Sequence, residues 1–267
     1  MPIIRLLPVL ISLALVFPPG YVLAEESQAE LAKKLNNPVA NLISVPIQYN
    51  HDSGLGPNNA GRNITNIQPV FPIELDADTN IISRTILPVV NYQSVMPGDN
   101  GASGIGDTLQ SFFYSPKAPS ENGWIWGAGV AVLIPTANKE ELGSGKWSAG
   151  PTAILLRQQN GWTYGALVNH LDSFAGQSGR QYVDSTYLQP FLSFTTSTHT
   201  TYAINSESTY DGQINEWTVP LNFMVSQLVK IGSRPVQFQV GYRKYVTNPT
   251  DTPDHGIRAA VTFLFPK

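Results

Sequence analysis

The sequence predicts an all-β protein: a transmembrane, antiparallel, up-and-down β-barrel of about 12 strands, with a short helix ahead of it. Three observations predict this fold class. Apolar and polar residues alternate in segments of about ten residues, as in strands that face lipid on one side. The connections tend to alternate between long and short, and aromatic residues collect near the predicted turns.

The alternation is clearest near the C-terminus. In the segment 216–225, one face holds Trp217, Val219, Leu221, Phe223 and Val225, whereas the other face is mostly polar. A soluble β-sandwich also alternates, so this pattern does not decide between the two folds alone. The predicted strands span 41–52, 62–75, 79–93, 105–116, 122–135, 146–158, 161–172, 184–195, 200–208, 213–226, 234–246 and 256–266.

The connections favour the barrel. Long polar links occur near 51–62, 95–106, 138–145, 175–184 and 247–256, and short ones near 76–79, 158–161 and 196–199. Outer-membrane barrels have long outer loops and short periplasmic turns. Prolines inside strand patterns argue against closure, because in a soluble sheet they mark edge strands. They are Pro46, Pro69, Pro72, Pro88, Pro151, Pro190 and Pro220.

Aromatic residues at strand ends favour the membrane as well. Tryptophan and tyrosine rings prefer the membrane–water interface, and transmembrane barrels carry girdles of them. The residues predicted to form an interface girdle are Trp124, Trp126, Trp147, Trp162, Tyr164 and Trp217.

The N-terminus predicts export. Arg5, the apolar stretch 6–17 and the small-residue site at 22–24 indicate a cleavable signal peptide over residues 1–24. Residues 25–40 are predicted to form a short periplasmic helix and lead-in, placed in the periplasm or against the barrel mouth. Residues 41–267 are predicted to form the transmembrane barrel, and the protein is assigned to the cell outer membrane.

The amino-acid composition limits the classes of partner that the protein is expected to bind. Only 13% of the 267 residues are charged and the net charge is −3, so nothing indicates nucleic acid. The absence of cysteine suits a barrel, whose closed hydrogen-bond ring needs no disulfide. The expected partners are outer-membrane lipid and a small-molecule solute. The oligomeric state is not predicted.

No catalytic residue, metal ligand or cofactor is predicted. His170 and Ser173 would suit a membrane hydrolase, but residues three apart on a strand point to opposite faces. The four histidines are scattered along the chain, which argues against a metal site.

A set of polar residues is predicted to face the lumen. Two interpretations are equally weighted: a charge network that fills a narrow barrel, and a pore lining that selects solutes. By alternation the set comprises Gln48, Gln68, Glu74, Arg84, Gln189, Glu216, Asn222, Gln237, Gln239, Arg243 and Arg258.

Several motifs resemble one family of bacterial outer-membrane, transporter-like proteins, whose label is "meta-pathway of phenol degradation". They lie at 37–46, 66–70, 104–107, 112–116, 142–147, 150–153, 165–169 and 263–267. The resemblance covers nearly all of the chain after residue 24. It implies an outer-membrane barrel for the uptake of aromatic compounds and brings no binding or catalytic residues.

The leading functional prediction is an outer-membrane channel or transporter for small hydrophobic or aromatic solutes that catalyses nothing. The alternative is a structural or adhesive barrel whose long outer loops bind a partner. The third prediction is a lipid hydrolase that uses His170.

Overall fold

The computed structural model describes residues 27–94, 100–247 and 252–266, so the predicted signal peptide lies outside the described residues. Within them, helix α1 (Gln28–Leu35) and a 3-10 turn (Glu140–Leu142) accompany fifteen strand segments. No helix among these residues is long and apolar enough to cross a bilayer. The segments are β1 (Ile43–Leu55), β2 (Ala60–Ile67), β3 (Val70–Glu74), β4 (Thr79–Tyr92), β5 (Ala102–Ile105), β6 (Thr108–Pro116), β7 (Trp124–Ile134), β8 (Lys146–Gln159), β9 (Trp162–Gly176), β10 (Asp184–Thr195), β11 (Thr200–Ser206), β12 (Ser208–Asp211), β13 (Glu216–Ile231), β14 (Arg234–Thr247) and β15 (His255–Phe265).

The sheet closes on itself. Neighbouring strands pair antiparallel, and β15 pairs with β1 from Ile43 opposite Phe265 to Ser53 opposite His255. Three barrel strands are each made of two segments, β2 with β3, β5 with β6, and β11 with β12. The described segments therefore form the predicted closed barrel of twelve antiparallel strands, which is confirmed.

Prolines explain the position of two of the three breaks that divide a barrel strand into two segments. Pro46 of β1 lies opposite Gln68, which donates its backbone N–H to the Pro46 carbonyl at 2.9 Å. Because Pro46 has no N–H to return the second bond of the pair, the ladder between β1 and β2 stops there. Pro88 of β4 faces Gly106 in the same way. The Thr136 hydroxyl donates to the Gly106 carbonyl in place of the missing N–H.

The third interruption is Glu207, between β11 and β12. The register places Pro190 of β10 opposite Ser206, and Pro220 of β13 opposite Glu207. Each proline lacks a donor at this point, and the Ser206 hydroxyl donates to the Pro220 carbonyl at 2.8 Å. These prolines do not mark sheet edges. They release one or two residues at a time from the ladder inside a closed sheet.

The apolar face of each strand points outward. In β13, Phe223 is 49% exposed, whereas its neighbours Asn222 and Met224 are 1% and 8% exposed. In β14, Val240 is 64% exposed and Gln237 is buried. An exposed apolar band around a polar interior is the arrangement of a barrel in lipid.

The residues predicted for the girdle lie near both ends of the barrel. Four are at the end where β1 begins, and two are at the opposite end. Trp124 and Tyr164 contact edge to face with ring centroids 6.2 Å apart, and Trp217 contacts Tyr210 at 5.3 Å. The first group is Trp124, Trp126, Trp162 and Tyr164, and the second is Trp147 and Trp217. Their contact with the lipid interface stays a prediction.

A charge on the outer face should cost most at the middle of a strand. Replacing Val240 with Arg is expected to lower the free energy of unfolding by about 2–4 kcal/mol, whereas Val246→Arg, near the strand end, should cost at most about 1 kcal/mol. Urea unfolding of the protein in lipid vesicles measures both. Equal costs at the two positions would contradict a membrane-embedded outer face.

Candidate functional site in the barrel interior

The barrel encloses a cavity of about 510 Å³. Polar residues from many strands line it, together with the apolar side chains of Phe113, Leu167 and Phe191. Asn36 and Pro38, which precede β1, also line it, so the N-terminal segment contributes to its wall. Of the residues predicted to face the lumen, those that line this cavity are Gln48, Gln68, Arg84, Gln189, Gln239 and Arg258.

The other five predicted lumen residues divide into two groups. Asn222, Gln237 and Arg243 are buried on the inward side of β13 and β14. Glu74 and Glu216 are exposed at strand ends, and Glu74 pairs with Lys117 at 2.8 Å. The structure therefore brings most of the predicted set together and leaves these two acids at opposite rims.

Helix α1 caps one end of the barrel. The Ser27 hydroxyl accepts the Glu30 backbone N–H at 3.2 Å, as an N-cap does. Leu31 is buried in a cluster with Leu228 of β13 and Leu264 of β15. The helix therefore lies against one mouth of the barrel. That this mouth faces the periplasm stays a prediction.

The chain after α1 continues into the interior. Val39 is 5% exposed and belongs to an apolar cluster with residues of β4, β6, β8 and β9. Gly127 makes room for it, because a Cβ there would lie 3.1 Å from Val39 Cγ1. Two polar contacts hold the segment: Asn36 Nδ2 donates to Thr195 Oγ1 at 3.1 Å, and Gln158 Nε2 donates to the Lys33 carbonyl at 2.8 Å. The cluster partners of Val39 are Ile82, Phe113, Ile154, Leu156 and Leu167.

Glu207 organises an ion-pair network in the interior. Arg258 donates to both of its carboxylate oxygens, at 2.9 and 2.8 Å, and Arg243 donates to one at 2.5 Å. Asn50 and Asn222 accept from the Nε atoms of Arg258 and Arg243, at 2.8 and 2.7 Å. Such hydrogen bonds to both partners are what a buried ion pair needs.

Asp52 extends the network along β1. Its side chain is 1% exposed, and it pairs with Arg62 at 3.0 Å and with Arg243 at 3.5 Å. The sequence analysis missed both acids. Glu207 lies in a polar stretch without clear alternation, and Asp52 falls where the first predicted strand runs into its loop. The even spacing of Gln48, Asn50 and Asp52 was the signal that could have found Asp52.

Arg84 lies close enough to this network for its charge to act on the Glu207 carboxylate, but it is not hydrogen-bonded to that carboxylate. Its Nη2 donates to Gln68 Oε1 at 3.1 Å, and it makes no ion pair with a carboxylate among the described residues. Arg84 lines the cavity, so a guanidinium without a bound carboxylate faces the enclosed space.

A second polar group lies on the outward side of the barrel. His170 Nε2 and Asp172 Oδ2 are 3.0 Å apart, and Asp184 Oδ1 is 4.0 Å from the same nitrogen. The Thr186 hydroxyl is 2.8 Å from His170 Nδ1. The ligand atoms of His170, Asp172 and Asp184 all lie within 4.8 Å of one another, which suits a metal ion. The sequence did not reveal this group, because one of its carboxylates, that of Asp184, comes from the neighbouring strand.

Tyr182, in the loop beside this group, donates its hydroxyl to Asp172 Oδ1 at 3.3 Å. Desolvation and the nearby Asp172 carboxylate raise the pKa of the Tyr182 phenol above its usual value. The phenol therefore stays protonated and remains a donor. Ser173, by contrast, is buried on the inward side and accepts from the Val183 N–H, so it does not contact His170.

Comparison with known proteins supports the fold. No known protein family and no curated protein matches the sequence. A COG4313 outer membrane channel from Pseudomonas putida F1 is similar with a TM-score of 0.66 and 16% identity, over 85% of this chain and 96% of that one. Outer membrane phospholipase A from Escherichia coli is similar with a TM-score of 0.50 and 10% identity, over 90% of this chain and 97% of that one.

At these identities the likeness shows the fold. The chain has the fold of outer-membrane β-barrel proteins, which supports a location in the cell outer membrane. The phenol-degradation label is not confirmed and stays a prediction.

The prediction that this chain catalyses nothing was wrong, because this fold does not exclude an enzyme. It ranked a lipid hydrolase below the two other functions, yet an outer-membrane phospholipase shares this fold. It also considered only Ser173 as a nucleophile for His170, whereas Thr186 on the neighbouring strand places its hydroxyl against the imidazole. Partners on a sheet come from adjacent strands, and sequence spacing along one strand does not reveal them.

Glu207 should matter for stability because it is the shared carboxylate of two guanidinium groups. Glu207→Gln is expected to lower the free energy of unfolding by about 2–4 kcal/mol, somewhat less than for a fully dry ion pair because the cavity can admit water. Urea unfolding in detergent measures the change, with Glu216→Gln at the exposed rim as the matched control. A loss no larger than that of the control would show that the network is dispensable.

Proposed function

We propose that this chain is an outer-membrane channel for small solutes, and that it favours hydrophobic or aromatic ones. The observation that carries the proposal is the cavity of about 510 Å³ inside a closed barrel, with the N-terminal segment in its wall. The similarity of the fold to an outer membrane channel supports this function. Enclosed cavities of a few hundred Å³ suit single small molecules.

The preference for apolar solutes rests on one part of the cavity lining. Phe191 and the ring of Tyr187 line the cavity. Phe113 and Leu167 line it too, but they are 1% and 2% exposed beside Val39, so their surface becomes available to a solute when the N-terminal segment leaves. Polar side chains elsewhere in the lining can orient a solute without covering this surface. Apolar surface beside placed polar groups allows a small-molecule site to bind the body of a solute and to fix its orientation.

Passage requires the N-terminal segment to move. Its hold on the interior consists of the Val39 cluster, the contacts of α1 with Leu228 and Leu264, and a few side-chain hydrogen bonds. Each of these contacts is made by a residue that precedes β1, and breaking it leaves the hydrogen-bond ring of the barrel intact. The segment can therefore be displaced while the sheet stays closed. We further assign residues 1–24 to a cleaved signal peptide, which N-terminal sequencing of the exported protein tests.

Val39→Asp should open the channel. A carboxylate is expensive to bury among Ile82, Phe113 and Leu167, so the segment should leave the interior. Single-channel conductance in planar bilayers and swelling rates of proteoliposomes are expected to rise several-fold over the native protein. Val39→Ile keeps the apolar contact and is the matched control.

The proposed function fails if native protein and Val39→Asp both fold and neither conducts ions nor passes solutes. Heat-dependent migration on gels shows whether each variant forms the barrel. If both conduct equally, the barrel is a channel but the segment does not close it.

A second candidate function is hydrolysis of a membrane lipid. One observation favours it: the Thr186 hydroxyl, the His170 imidazole and the Asp172 carboxylate form a hydrogen-bonded row on the outward face, with separations of 2.8 and 3.0 Å. A nucleophile, a base and an orienting acid are connected in this order. The adhesive alternative stays a prediction.

For this candidate, His170→Ala should abolish release of fatty acid from phospholipid vesicles that hold the protein. His199→Ala, in a turn at the opposite end of the barrel, is the matched control and should leave the release unchanged. The candidate is excluded if native protein releases no more fatty acid than His170→Ala.

A further inference from the structure

We infer that the lumen cavity selects small organic anions, and that Arg84 binds their carboxylate while the neighbouring apolar side chains bind the rest of the molecule. This inference rests on the proposed channel function and names the class of solute. It follows from the charge balance of the interior, the bonding of Arg84 and the register of β4 with β6.

The interior network carries an excess of positive charge. Arg62, Arg243 and Arg258 pair with two carboxylates, those of Asp52 and Glu207. Arg84 adds a fourth guanidinium without adding an acid. Among the described residues, four cations against two anions leave a formal charge of about +2 in this network, which attracts anions into the lumen and repels cations.

The excess charge is accessible at Arg84. Arg258 and Arg243 already donate to Glu207, and their Nε atoms donate to Asn50 and Asn222. Arg84 uses one of its five N–H groups on Gln68. Arg84 lines the cavity, and no carboxylate among the described residues accepts its remaining donors. A carboxylate is the group that the planar guanidinium binds through two parallel hydrogen bonds.

The residues around Arg84 indicate that the bound anion also has an apolar part. On the inward row of β4, Arg84 lies between Ile82 and Ile86. The register places Phe113 opposite Ile82 and Leu109 opposite Ile86 on β6. The guanidinium of Arg84 is therefore flanked by two apolar cross-strand pairs. Ile86 and Leu109 line the cavity. Ile82 and Phe113 are 0% and 1% exposed beside Val39 and become available when the N-terminal segment leaves.

Ser111 lies directly opposite Arg84, between these two pairs. Its small side chain leaves the space beside the guanidinium open to the cavity, which it also lines. Inorganic ions such as chloride gain no binding free energy from apolar contact. A carboxylate joined to a ring or short hydrocarbon gains binding free energy from both the guanidinium and the apolar side chains.

Reversal potentials across planar bilayers test the inference on the full mature chain. Under salt gradients, native protein is expected to pass chloride in preference to potassium, and benzoate in preference to chloride. Arg84→Gln should reduce the benzoate-to-potassium permeability ratio about tenfold. Arg84→Lys should keep the preference for anions and lose most of the preference for benzoate over chloride, because an ammonium cannot form the bidentate pair.

Arg157→Gln is the matched control, because it removes the same charge from the outward side of β8 and should leave both ratios unchanged. Benzamide, the neutral analogue of benzoate, should enter liposomes at equal rates through native protein and Arg84→Gln. If Arg84→Gln conducts with the ratios of Arg157→Gln, or if native protein prefers potassium, the inference is overturned while the channel function stands. If no folded variant conducts, including Val39→Asp, both fail together.

Discussion

The structure depends on a closed ring of backbone hydrogen bonds. The pairing of β15 with β1 removes the two edges that an open sheet of twelve strands would expose. In lipid each unpaired backbone group would cost several kcal/mol, so closure is a condition of the fold rather than a detail of it. The apolar outer face, the polar interior and the enclosed cavity all follow from this ring.

Single prolines adjust the ring without opening it. Pro220 lies opposite Glu207 and Pro190 lies opposite its neighbour Ser206, so each of the two flanking strands leaves the ladder one donor short beside Glu207. The carboxylate that pairs with Arg243 and Arg258 thus belongs to a residue that is released from the ladder. A local loss of ladder bonds in the wall coincides with the ion pairs of Glu207 in the lumen.

The alternation of residues such as Phe223 and Asn222, together with the loop lengths and the aromatic residues at strand ends, predicted the barrel. The alternation by itself assigned each side chain to one face of its strand. It also placed Arg84 and Gln68 on the inward face. It could not place Glu207 or pair Thr186 with His170. Those contacts depend on register between strands and on interruptions of the ladder, and neither leaves a periodic trace in one segment. Val39 was missed because a lead-in segment has no period at all.

The N-terminal helix has a consequence for assembly. It docks against Leu228 and Leu264, which come from strands synthesised near the end of the chain. The N-terminal helix can therefore bind its site on the barrel only after the last strands have paired. An incomplete or wrongly paired barrel would lack this site, so a closed barrel mouth indicates that all strands have paired correctly.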